Sequence, residues 1–330
     1  MFMKDKNTAI IILNYNNYED TINCSESVGQ FNSSNVKFIV IDNGSTRKGV
    51  VSALDCFLAA RYENQYKLYS DMDEPPHSLP YATLLVSDIN DGYARGNNKA
   101  LRFVENDNDI EYVMILNSDV LFVEDIIPQL VQEIESDDNI GIVSPLLYKK
   151  DMKGIDYSCA RNSEPAKITI GRFLLFFFNP FKIKDKWYYR QQYLKNNPGL
   201  KDRHRFSIEL PSGSCMLMRK EFFKSIGYFD PHTFLFYEED ILYKKIQKAG
   251  KYNYIYPQLK CIHLGATTTK HQTGYFITKA TAESGCYYIT QYCNIPKFVK
   301  VLFRLYIHSI LLPVAKVKKM CNEIKSKSVN

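Results

Sequence analysis

Residues 112–120 read Tyr-Val-Met-Ile-Leu-Asn-Ser-Asp-Val, an apolar run that passes directly into small polar residues. Such a short run predicts a buried strand that ends near Asn117. In open α/β sheets, ligands bind just beyond the carboxyl ends of the strands. A carboxylate at Asp119 would therefore suit a divalent cation, because magnesium commonly binds one or two protein carboxylates together with substrate phosphate oxygens. A simple turn after the strand explains the same residues, so the motif alone leaves both interpretations open.

The composition indicates a large globular chain. Of its 330 residues 45% are hydrophobic, which is enough for a sizeable core, and the net charge is only +6. This mild charge predicts no nucleic-acid binding. The eight cysteines lack paired metal-type spacing, and no apolar signal segment opens the chain. Both features predict reduced thiols in a cytoplasmic protein.

Two strand-like runs at 9–13 and 37–41 flank a helix predicted over 18–28. The strand–helix–strand order predicts a parallel βαβ unit with a right-handed crossover. The first run ends in Asn-Tyr-Asn-Asn at 14–17, and the second ends in Asp-Asn-Gly-Ser-Thr at 42–46. Asp42 could accept hydrogen bonds from a nucleotide base or ribose, and an Asx turn accounts for it equally well.

The next polar stretch, 61–82, is predicted to be a loop. A third apolar run at 83–86 then leads to Asn-Asp-Gly-Tyr-Ala-Arg-Gly-Asn-Asn at 90–98, before a helix predicted over 99–105. Glycines before a helix let the backbone approach a phosphate. The glycine spacing fits neither a dinucleotide fingerprint nor a Walker loop. A helix predicted over 124–136 and a strand over 140–144 complete the first half.

The order of these segments resembles family 2 glycosyltransferases of the GT-A fold, within them the rhamnosyltransferase-like enzymes of bacterial surface polysaccharide synthesis. The resemblance implies an α/β fold whose mostly parallel central sheet is flanked by helices. It also implies a catalytic domain at 1–270, with a nucleotide-binding half at 1–145 and an acceptor-binding half at 146–270. The remaining residues, 271–330, would form a basic amphipathic helical appendage.

The same resemblance implies the residues that bind a nucleotide-diphospho sugar. The family's base-binding Asp corresponds to Asp42. The donor-binding candidates are Asn14, Asn16, Asp42, Asn43, Asn90, Gly92, Asn98 and Asn117. The family's Asp-x-Asp metal motif corresponds to 117–119, with Asn at its first position, so Asp119 is expected to bind Mg²⁺ or Mn²⁺.

The acidic run in Phe-Leu-Phe-Tyr-Glu-Glu-Asp at 234–240 resembles the family's catalytic-base motif, and a helix is predicted over 241–249. Matching Tyr-Glu-Asp to this run makes Glu239 the base, with Asp240 as the alternative. Ile241 departs from the family pattern, which usually has a further acidic residue there. Stabilisation of a helix amino terminus explains the same carboxylates. A transferase needs such a carboxylate to take the proton of the acceptor hydroxyl.

Three features of the second half extend this comparison. The segment 210–219, Leu-Pro-Ser-Gly-Ser-Cys-Met-Leu-Met-Arg, resembles the family's small-residue strand beside the acceptor site. Two strands are predicted at 252–256 and 260–263, and His263 at their end is either a metal ligand or a hydrogen-bonded core residue. The apolar run at 173–178 is expected in the core rather than in a lid over a lipid-linked acceptor.

The tail from Asn294 carries basic residues at helical spacing with apolar residues around them. We predict that it is too short and too charged to span a bilayer, and that it lies on anionic lipid at the inner face of the plasma membrane. A helix packed on the catalytic domain, with a solvated lysine tail, is the alternative.

These features predict an inverting transferase that moves a sugar from a UDP- or dTDP-linked donor to a hydroxyl of a growing surface glycan, such as capsule or O-antigen. The resemblance implies a polyprenyl-diphosphate carrier for that acceptor. A nucleotidyltransferase is one alternative, although the glycine- and basic-rich loop expected after the first strand is replaced by 14–17. A non-catalytic nucleotide-sugar binder or assembly partner is another. Homodimer formation is left open.

Overall fold

The computed structural model describes residues 7–33, 35–176, 199, 202–265 and 274–327. Its strands are β1 (Asn7–Asn14), β2 (Val36–Asn43), β3 (Tyr66–Ser70), β4 (Ala82–Ser87), β5 (Ile110–Asn117), β6 (Val120–Phe122), β7 (Ile140–Lys149), β8 (Ala160–Arg161), β9 (Phe206–Ile208), β10 (Leu210–Pro211), β11 (Cys215–Arg219) and β12 (Tyr252–His263).

The helices are α1 (Tyr18–Phe31), α2 (Val50–Tyr62), α3 (Gly92–Glu105), α4 (Ile127–Glu135), α5 (Ala166–Leu174), α6 (Lys220–Ser225), α7 (Glu238–Lys248), α8 (Gly274–Tyr292), α9 (Lys297–Tyr306) and α10 (Leu312–Lys327). Helices flank one central sheet, which confirms the predicted α/β class. The predicted boundaries between the nucleotide half, the acceptor half and the appendage stay a prediction.

The central sheet has the order β3-β4-β2-β1-β5-β11-β7-β12-β6, with β9 paired to β12. Along this order the strands β3, β4, β2, β1 and β5 are all parallel. Helices α1, α2 and α3 connect β1 to β2, β2 to β3 and β4 to β5, whereas residues 71–81 join β3 to β4 without a helix. Beyond β5 the sheet is mixed: β11 is antiparallel to both β5 and β7. The prediction of a mostly parallel sheet therefore describes the amino-terminal half best.

The strand ends are aligned at one edge of the parallel half. In β1, Leu13 pairs with Asn117 and Asn14 pairs with Asp42. The apolar centre of β1 is fully buried, which fixes this register, because a one-residue slip would turn a buried side chain to the opposite face. The polar residues that follow β1, β2 and β5 therefore lie at the same edge of the sheet.

Helix α3 begins at Gly92, seven residues before the predicted start at residue 99. The glycines and asparagines here predicted a loop, yet Gly96 and Asn97 are buried inside the helix. A Cβ atom at Gly96 would lie 2.7 Å from Leu13 Cδ1. Glycine at this position thus allows close packing of α3 on β1. The predicted helix start at residue 99 was wrong, and phosphate binding near the start of this helix stays a prediction.

Other boundaries also differ from the predictions. The predicted loop at 61–82 contains a 3-10 turn and the edge strand β3, which sequence patterning missed because few of its side chains are buried. The two strands predicted at 252–256 and 260–263 form one strand, β12, with a register shift between Tyr256 and Lys260. Pro257 lies in that shift, where it costs no ladder hydrogen bond.

The run predicted as core at 173–178 is described only to Phe176. Phe173 is buried, and its ring stacks on Tyr237 with centroids 6.5 Å apart. Leu174 is exposed. Phe177 and Phe178 lie outside the described residues.

The carboxyl-terminal helices pack on the catalytic core through one face. A π-helical turn at Ile307–Leu311 joins α9 to α10. Phe303, Ile307 and Leu311 are buried in a cluster with Ala282 and Ile289 of α8 and with Phe173. Residues 297–322 form a helix that is long and apolar enough to cross a membrane by length and composition, so the prediction that the tail is too short and charged to span was wrong.

Candidate active site

The turn before β11 joins the end of β5 to the acidic start of α7. The backbone N–H of Asn117 donates to the Ser214 carbonyl at 2.8 Å, and Asn117 Nδ2 donates to Ser214 Oγ at 3.3 Å. The neighbouring Gly213 N–H donates to Glu239 Oε1 at 2.5 Å. The predicted metal motif and the predicted base are thus held at one edge of the sheet by two consecutive residues.

Asp119 and His263, the predicted metal ligands, lie next to each other at this edge. β12 is antiparallel to β6, and the Leu264 N–H donates to the Asp119 carbonyl at 2.8 Å. This pairing places His263 Nε2 3.4 Å from Asp119 Oδ2. The other ring nitrogen, Nδ1, is 2.6 Å from Asp156 Oδ2. His263 is thus a largely buried histidine between two carboxylates, and its role as a metal ligand stays a prediction.

The charge of His263 follows from its two carboxylate neighbours. Burial alone would lower the pKa of the imidazole, but Asp119 and Asp156 outweigh it and raise that pKa to about 10. In the absence of a cation the ring is therefore positively charged at neutral pH. A metal ion at this position would take the place of the proton, since metal binding requires the neutral imidazole.

The donor set fits a divalent cation. A carboxylate oxygen and an imidazole nitrogen that face each other suit Mn²⁺ at least as well as Mg²⁺. Within the described residues no cluster of three or more His, Cys, Asp or Glu side chains could hold a metal. Asp119 and His263 would therefore supply two ligands, and diphosphate oxygens and water would complete the shell.

The backbone that leads into α7 is strained. Phe236 and Tyr237 have φ angles of 73° and 67°, in the left-handed region that large side chains rarely adopt. Such strain persists only where the surrounding structure holds it, and it is common at functional sites. Here it directs the first turn of α7, with Glu239, towards the turn before β11.

The three carboxyl groups of α7 differ in environment. Burial raises the pKa of Glu238 to about 8, and burial raises the pKa of Asp240 to about 6 although Arg161 opposes this shift. Glu238 Oε1 has no hydrogen-bond partner among the described residues. The Glu239 side chain is 25% exposed, and its Oε2 forms an ion pair with Arg161 Nη2. Glu239 is thus the most accessible carboxylate of the three.

Glu238 predicts a measurable pH effect on stability. Its pKa is about 8 in the folded chain and about 4.5 when exposed, so between these values the folded state keeps a proton that the unfolded state releases. The free energy of unfolding should fall as pH rises through this range, by a few kcal/mol at about 1.4 kcal/mol per pH unit. In Glu238→Gln this contribution should be absent, which urea unfolding at pH 5 and pH 8 would measure. Parallel pH dependence of the two proteins would contradict it.

A cavity of about 460 Å³ lies beside the first turn of α7. It is lined by Tyr93, Asn117, Arg161, Glu164, Thr169, Arg172, Gly213, Ser214, Leu235, Phe236, Tyr237, Glu238, Glu239, Asp240 and Thr281. Ser214 Oγ lies 3.5 Å from His263 Nε2, so the predicted metal ligands, which we call the metal side, lie next to the wall of this cavity. The cavity has room for a sugar-sized group beside the predicted base, although Asp119 and His263 are not among its lining residues.

Three of the predicted donor-binding residues are buried, and two of them bond to each other. Asn14, Asp42 and Asn43 are at most 2% exposed. Asn14 Nδ2 donates to Asp42 Oδ1 at 2.6 Å, and the Ser45 N–H donates to Asp42 Oδ2 at 3.1 Å. Asp42 therefore holds the turn after β2, as an Asx turn would, and its contact with a base stays a prediction.

The remaining donor-binding candidates differ in position. Asn16 has φ 59°, and its Oδ1 accepts the Thr46 and Arg47 N–H groups, each at 2.8 Å. Asn90 Oδ1 accepts the Gly92 N–H at 2.9 Å. A Cβ atom at Gly92, which has φ 80°, would lie 2.1 Å from the Phe234 carbonyl oxygen. Only glycine fits that approach to the loop before α7.

Asn98 does not line the cavity. Its Nδ2 donates to the Phe229 carbonyl at 2.9 Å, and its Oδ1 accepts the Phe229 N–H at 3.2 Å. Both ends of the amide thus hold the loop that leads to α7, and a role of Asn98 in donor binding stays a prediction.

Sequence analysis missed several residues of the site. Tyr93 OH donates to the Gly213 carbonyl at 2.7 Å, Arg161 contacts Glu239, and Asp156 contacts His263. The Asp-x-Ser pattern at 156–158 is typical of a capping turn and could have indicated a fixed carboxylate. Arg161 lies on a two-residue strand, for which local sequence gives no signal.

Comparison with known proteins agrees with this geometry. The family description "Glycosyl transferase family 2" matches residues 9–227. The low-salt glycan biosynthesis hexosyltransferase Agl10 of Haloferax volcanii is 24% identical over 231 residues, which cover 70% of this chain and 58% of that protein. The N-acetylglucosaminyl-diphospho-decaprenol L-rhamnosyltransferase of Mycobacterium tuberculosis is 27% identical over 161 residues, 48% of each chain. The chain thus spans about half to three-fifths of these relatives.

Two solved structures share the fold. The mannosyltransferase PcManGT from Pyrobaculum calidifontis, in complex with GDP-Man and Mn²⁺, matches with a TM-score of 0.54 at 16% identity. The match covers 94% of this chain and 73% of the PcManGT chain. GalNAc-T7 with UDP, GalNAc and Mn²⁺ has a TM-score of 0.54 at 13% identity and covers 94% of this chain and 57% of its own. The fold is thus of the GT-A type, and with two-thirds of its length matched by the family description, the chain belongs to glycosyl transferase family 2.

Proposed function

We propose that this chain is an inverting glycosyltransferase that moves a sugar from a UDP- or dTDP-linked donor to a hydroxyl of a growing surface glycan. The observation that supports this proposal best is the cavity that joins Asn117 and Ser214, beside the Asp119–His263 pair, to Glu239. A diphosphate bound to the metal side would present its sugar towards the carboxylate of α7.

Glu239 acts as the general base in this proposal. The acceptor oxygen forms a bond to the anomeric carbon from the face opposite the diphosphate, and Glu239 takes the hydroxyl proton as the bond to the phosphate oxygen breaks. Glu239 lies on the rigid first turn of α7 and is fixed by Gly213 and Arg161. A Mg²⁺ or Mn²⁺ ion on Asp119 and His263 would neutralise the charge that develops on the leaving nucleoside diphosphate.

The relatives support the two substrate classes. One acts, by name, on N-acetylglucosaminyl-diphospho-decaprenol as a rhamnosyltransferase, and two structural neighbours hold a nucleotide or nucleotide sugar with Mn²⁺. We infer a polyprenyl-diphosphate-linked glycan as the acceptor. Arg161 and Arg172 in the cavity wall are cationic groups that would attract an anionic acceptor.

The donor can be identified by a binding and turnover screen. UDP-, dTDP- and GDP-linked sugars would be tested for thermal stabilisation of the protein with MnCl₂ and with EDTA, and for release of nucleoside diphosphate. A transferase should be stabilised by one donor class only when Mn²⁺ is present, and should release that nucleoside diphosphate. Stabilisation without any release would favour a non-catalytic binder. Pyrophosphate release from a nucleoside triphosphate and sugar phosphate would favour a nucleotidyltransferase.

We infer that the chain binds the inner face of the plasma membrane through the outer stripe of its last two helices. We define the outer stripe as Phe298, Val301, Leu302, Leu305, Ile310, Val314, Val317, Met320 and Ile324, which are 47–66% exposed. The opposite face of these helices is buried on α8 through Phe303, Ile307 and Leu311. Lys297, Arg304 and Lys316 are exposed beside the stripe, as in helices that bind anionic lipid.

Helix α8, on which these two helices pack, reaches the cavity. Thr281 of α8 lines the cavity, and Ser284 Oγ of α8 donates to the Leu235 carbonyl at 2.9 Å. A chain bound to lipid through its outer stripe would therefore hold this wall of the cavity close to a lipid-linked acceptor.

The membrane proposal predicts a large effect of charge in the stripe. Leu302→Glu together with Leu305→Glu should lower binding to phosphatidylcholine–phosphatidylglycerol vesicles at least about 10-fold, because burial of one leucine contributes about 1.5–3 kcal/mol. Co-sedimentation with vesicles measures this. The matched control is Leu68→Glu together with Met72→Glu. Leu68 and Met72 are also exposed, but they lie in the predicted catalytic domain. An equal loss of vesicle binding in both double variants, or no loss in either, would contradict the role of the outer stripe.

A further inference from the structure

One short segment contacts both halves of the site. We define the brace segment as residues 156–161. It runs from the end of the turn that follows β7, through a 3-10 turn at Tyr157–Cys159, into β8. The Cys159 carbonyl accepts the Ser212 N–H at 3.1 Å, and β8 pairs with β10. The brace segment is thus fixed to the turn that carries Gly213 and Ser214.

The first residue of the brace segment holds the imidazole of His263. Asp156 Oδ1 accepts the Ser158 N–H at 3.0 Å and the Ser158 hydroxyl at 2.7 Å, so it is fixed by its own turn. Its Oδ2 lies 2.6 Å from His263 Nδ1. A carboxylate on Nδ1 keeps the proton on that nitrogen and leaves Nε2 as the metal-binding atom. Nε2 is the atom that faces Asp119.

The last residue of the brace segment holds the predicted base. Arg161 Nη2 pairs with Glu239 Oε2, while the Gly213 N–H donates to Glu239 Oε1 at 2.5 Å. Two donors on opposite oxygens fix both the position and the rotation of a carboxylate. A general base depends on such geometry, because a displacement of about 1 Å can cost about 100-fold in rate.

We propose that the brace segment positions both reactive groups of the site, with Asp156 setting His263 for the metal and Arg161 setting Glu239 for the acceptor hydroxyl. This inference rests on the proposed transferase function. Asp156 and Arg161 are positioning residues, since each acts through the side chain it holds. Their fixed spacing on one turn sets the distance between the metal side and the base.

The Asp156 half is tested by metal affinity in the absence of substrate. Asp156→Asn should weaken Mn²⁺ binding to the full chain by about 10- to 100-fold, measured by isothermal titration calorimetry. The amide keeps the shape of the carboxylate but cannot accept from both Ser158 and His263 Nδ1. Asp151→Asn, on the exposed turn just before the brace segment, is the control and should bind Mn²⁺ normally. Unchanged affinity in Asp156→Asn would overturn this half.

The Arg161 half is tested by separating binding from turnover. Arg161→Gln should lower kcat for nucleoside diphosphate release about 10- to 100-fold, while the KM for the donor and the Mn²⁺ affinity stay unchanged. Arg161→Lys should recover part of kcat, because an ammonium group can still pair with Glu239. Arg102→Gln, on the far end of α3, is the control for loss of an arginine. A normal kcat in Arg161→Gln, or a loss of Mn²⁺ binding in the same variant, would overturn the proposal.

The two variants together distinguish the brace from the proposed function. If the brace segment positions both groups, Asp156→Asn should change the Mn²⁺ affinity and Arg161→Gln should not. Thermal unfolding of each variant shows whether it is folded. If Arg161→Gln does not fold, Arg161→Lys, which retains the charge, replaces it as the test variant. If Glu239→Gln keeps full turnover, the assignment of the base fails. If instead Glu239→Gln is inactive and Arg161→Gln and Arg161→Lys are fully active, only the brace fails.

Discussion

Replacement of Glu239 by Gln is expected to lower the rate of sugar transfer about 10²- to 10⁴-fold, the usual contribution of a general base. Glutamine keeps the size of the side chain and can still accept the Gly213 N–H, but it cannot take the proton of the acceptor hydroxyl. Donor binding should persist, because the carboxylate does not hold the diphosphate. The measurement is nucleoside diphosphate release with acceptor, together with donor affinity by calorimetry.

The neighbouring carboxyl groups provide the controls for that result. Asp240 is the alternative base, and burial raises its pKa to about 6. Because Asp240 is buried and Glu239 faces Gly213, we expect Asp240→Asn to have a smaller effect on turnover than Glu239→Gln. The reverse order would transfer the role of the base to Asp240 and would show that the register based on Tyr-Glu-Asp is wrong.

Loss of the Asp119 carboxylate is expected to remove metal binding and turnover together. Asp119→Asn should weaken Mn²⁺ binding by at least about 100-fold, since a hard cation depends on anionic oxygen ligands. His263→Ala should weaken it less, because the carboxylate and the donor diphosphate remain. Calorimetric titration with MnCl₂ and the metal dependence of turnover measure both effects. Asp138→Asn, whose side chain is almost fully exposed, serves as the control. Full Mn²⁺ affinity in Asp119→Asn would exclude the assigned site.

Strand periodicity and order were enough to predict four strands of the parallel part of the sheet. The runs that became β1, β2, β4 and β5 are short, apolar and followed by polar residues, and the structure places them side by side with their ends aligned. The resemblance to the family agrees with the matched family description and with the GT-A structures. These features depend on local pattern and on order along the chain, which a single sequence records.

The predictions that were wrong concern features that depend on tertiary packing. Gly96 and Asn97 have low helix propensity, yet both are helical in α3. Gly96 allows close contact with Leu13 of β1, and Asn97 Nδ2 donates to the Tyr93 carbonyl within the helix. The prediction that the tail cannot span a bilayer rested on its length and charges. In the structure one face of the tail is buried on α8, and the other face carries an apolar stripe. Leu13 is far from Gly96 in sequence, so the residues around Gly96 give no signal of this contact.

The connections within the site were hidden for a similar reason. The contact of Arg161 with Glu239 joins residues 78 positions apart, and that of Asp156 with His263 joins residues 107 positions apart. Asp119, Glu239 and His263 could be selected because each lies in a recognisable motif. Arg161 could not, because a two-residue strand has no periodicity to detect.

The most direct measurement is anomalous diffraction from crystals grown with MnCl₂ and UDP or dTDP. The account predicts one manganese peak within about 2.0–2.6 Å of Asp119 Oδ2 and His263 Nε2, with the diphosphate on its open side towards Glu239. A manganese and nucleotide site away from Asp119, or a diphosphate separated from Glu239 by protein, would contradict it.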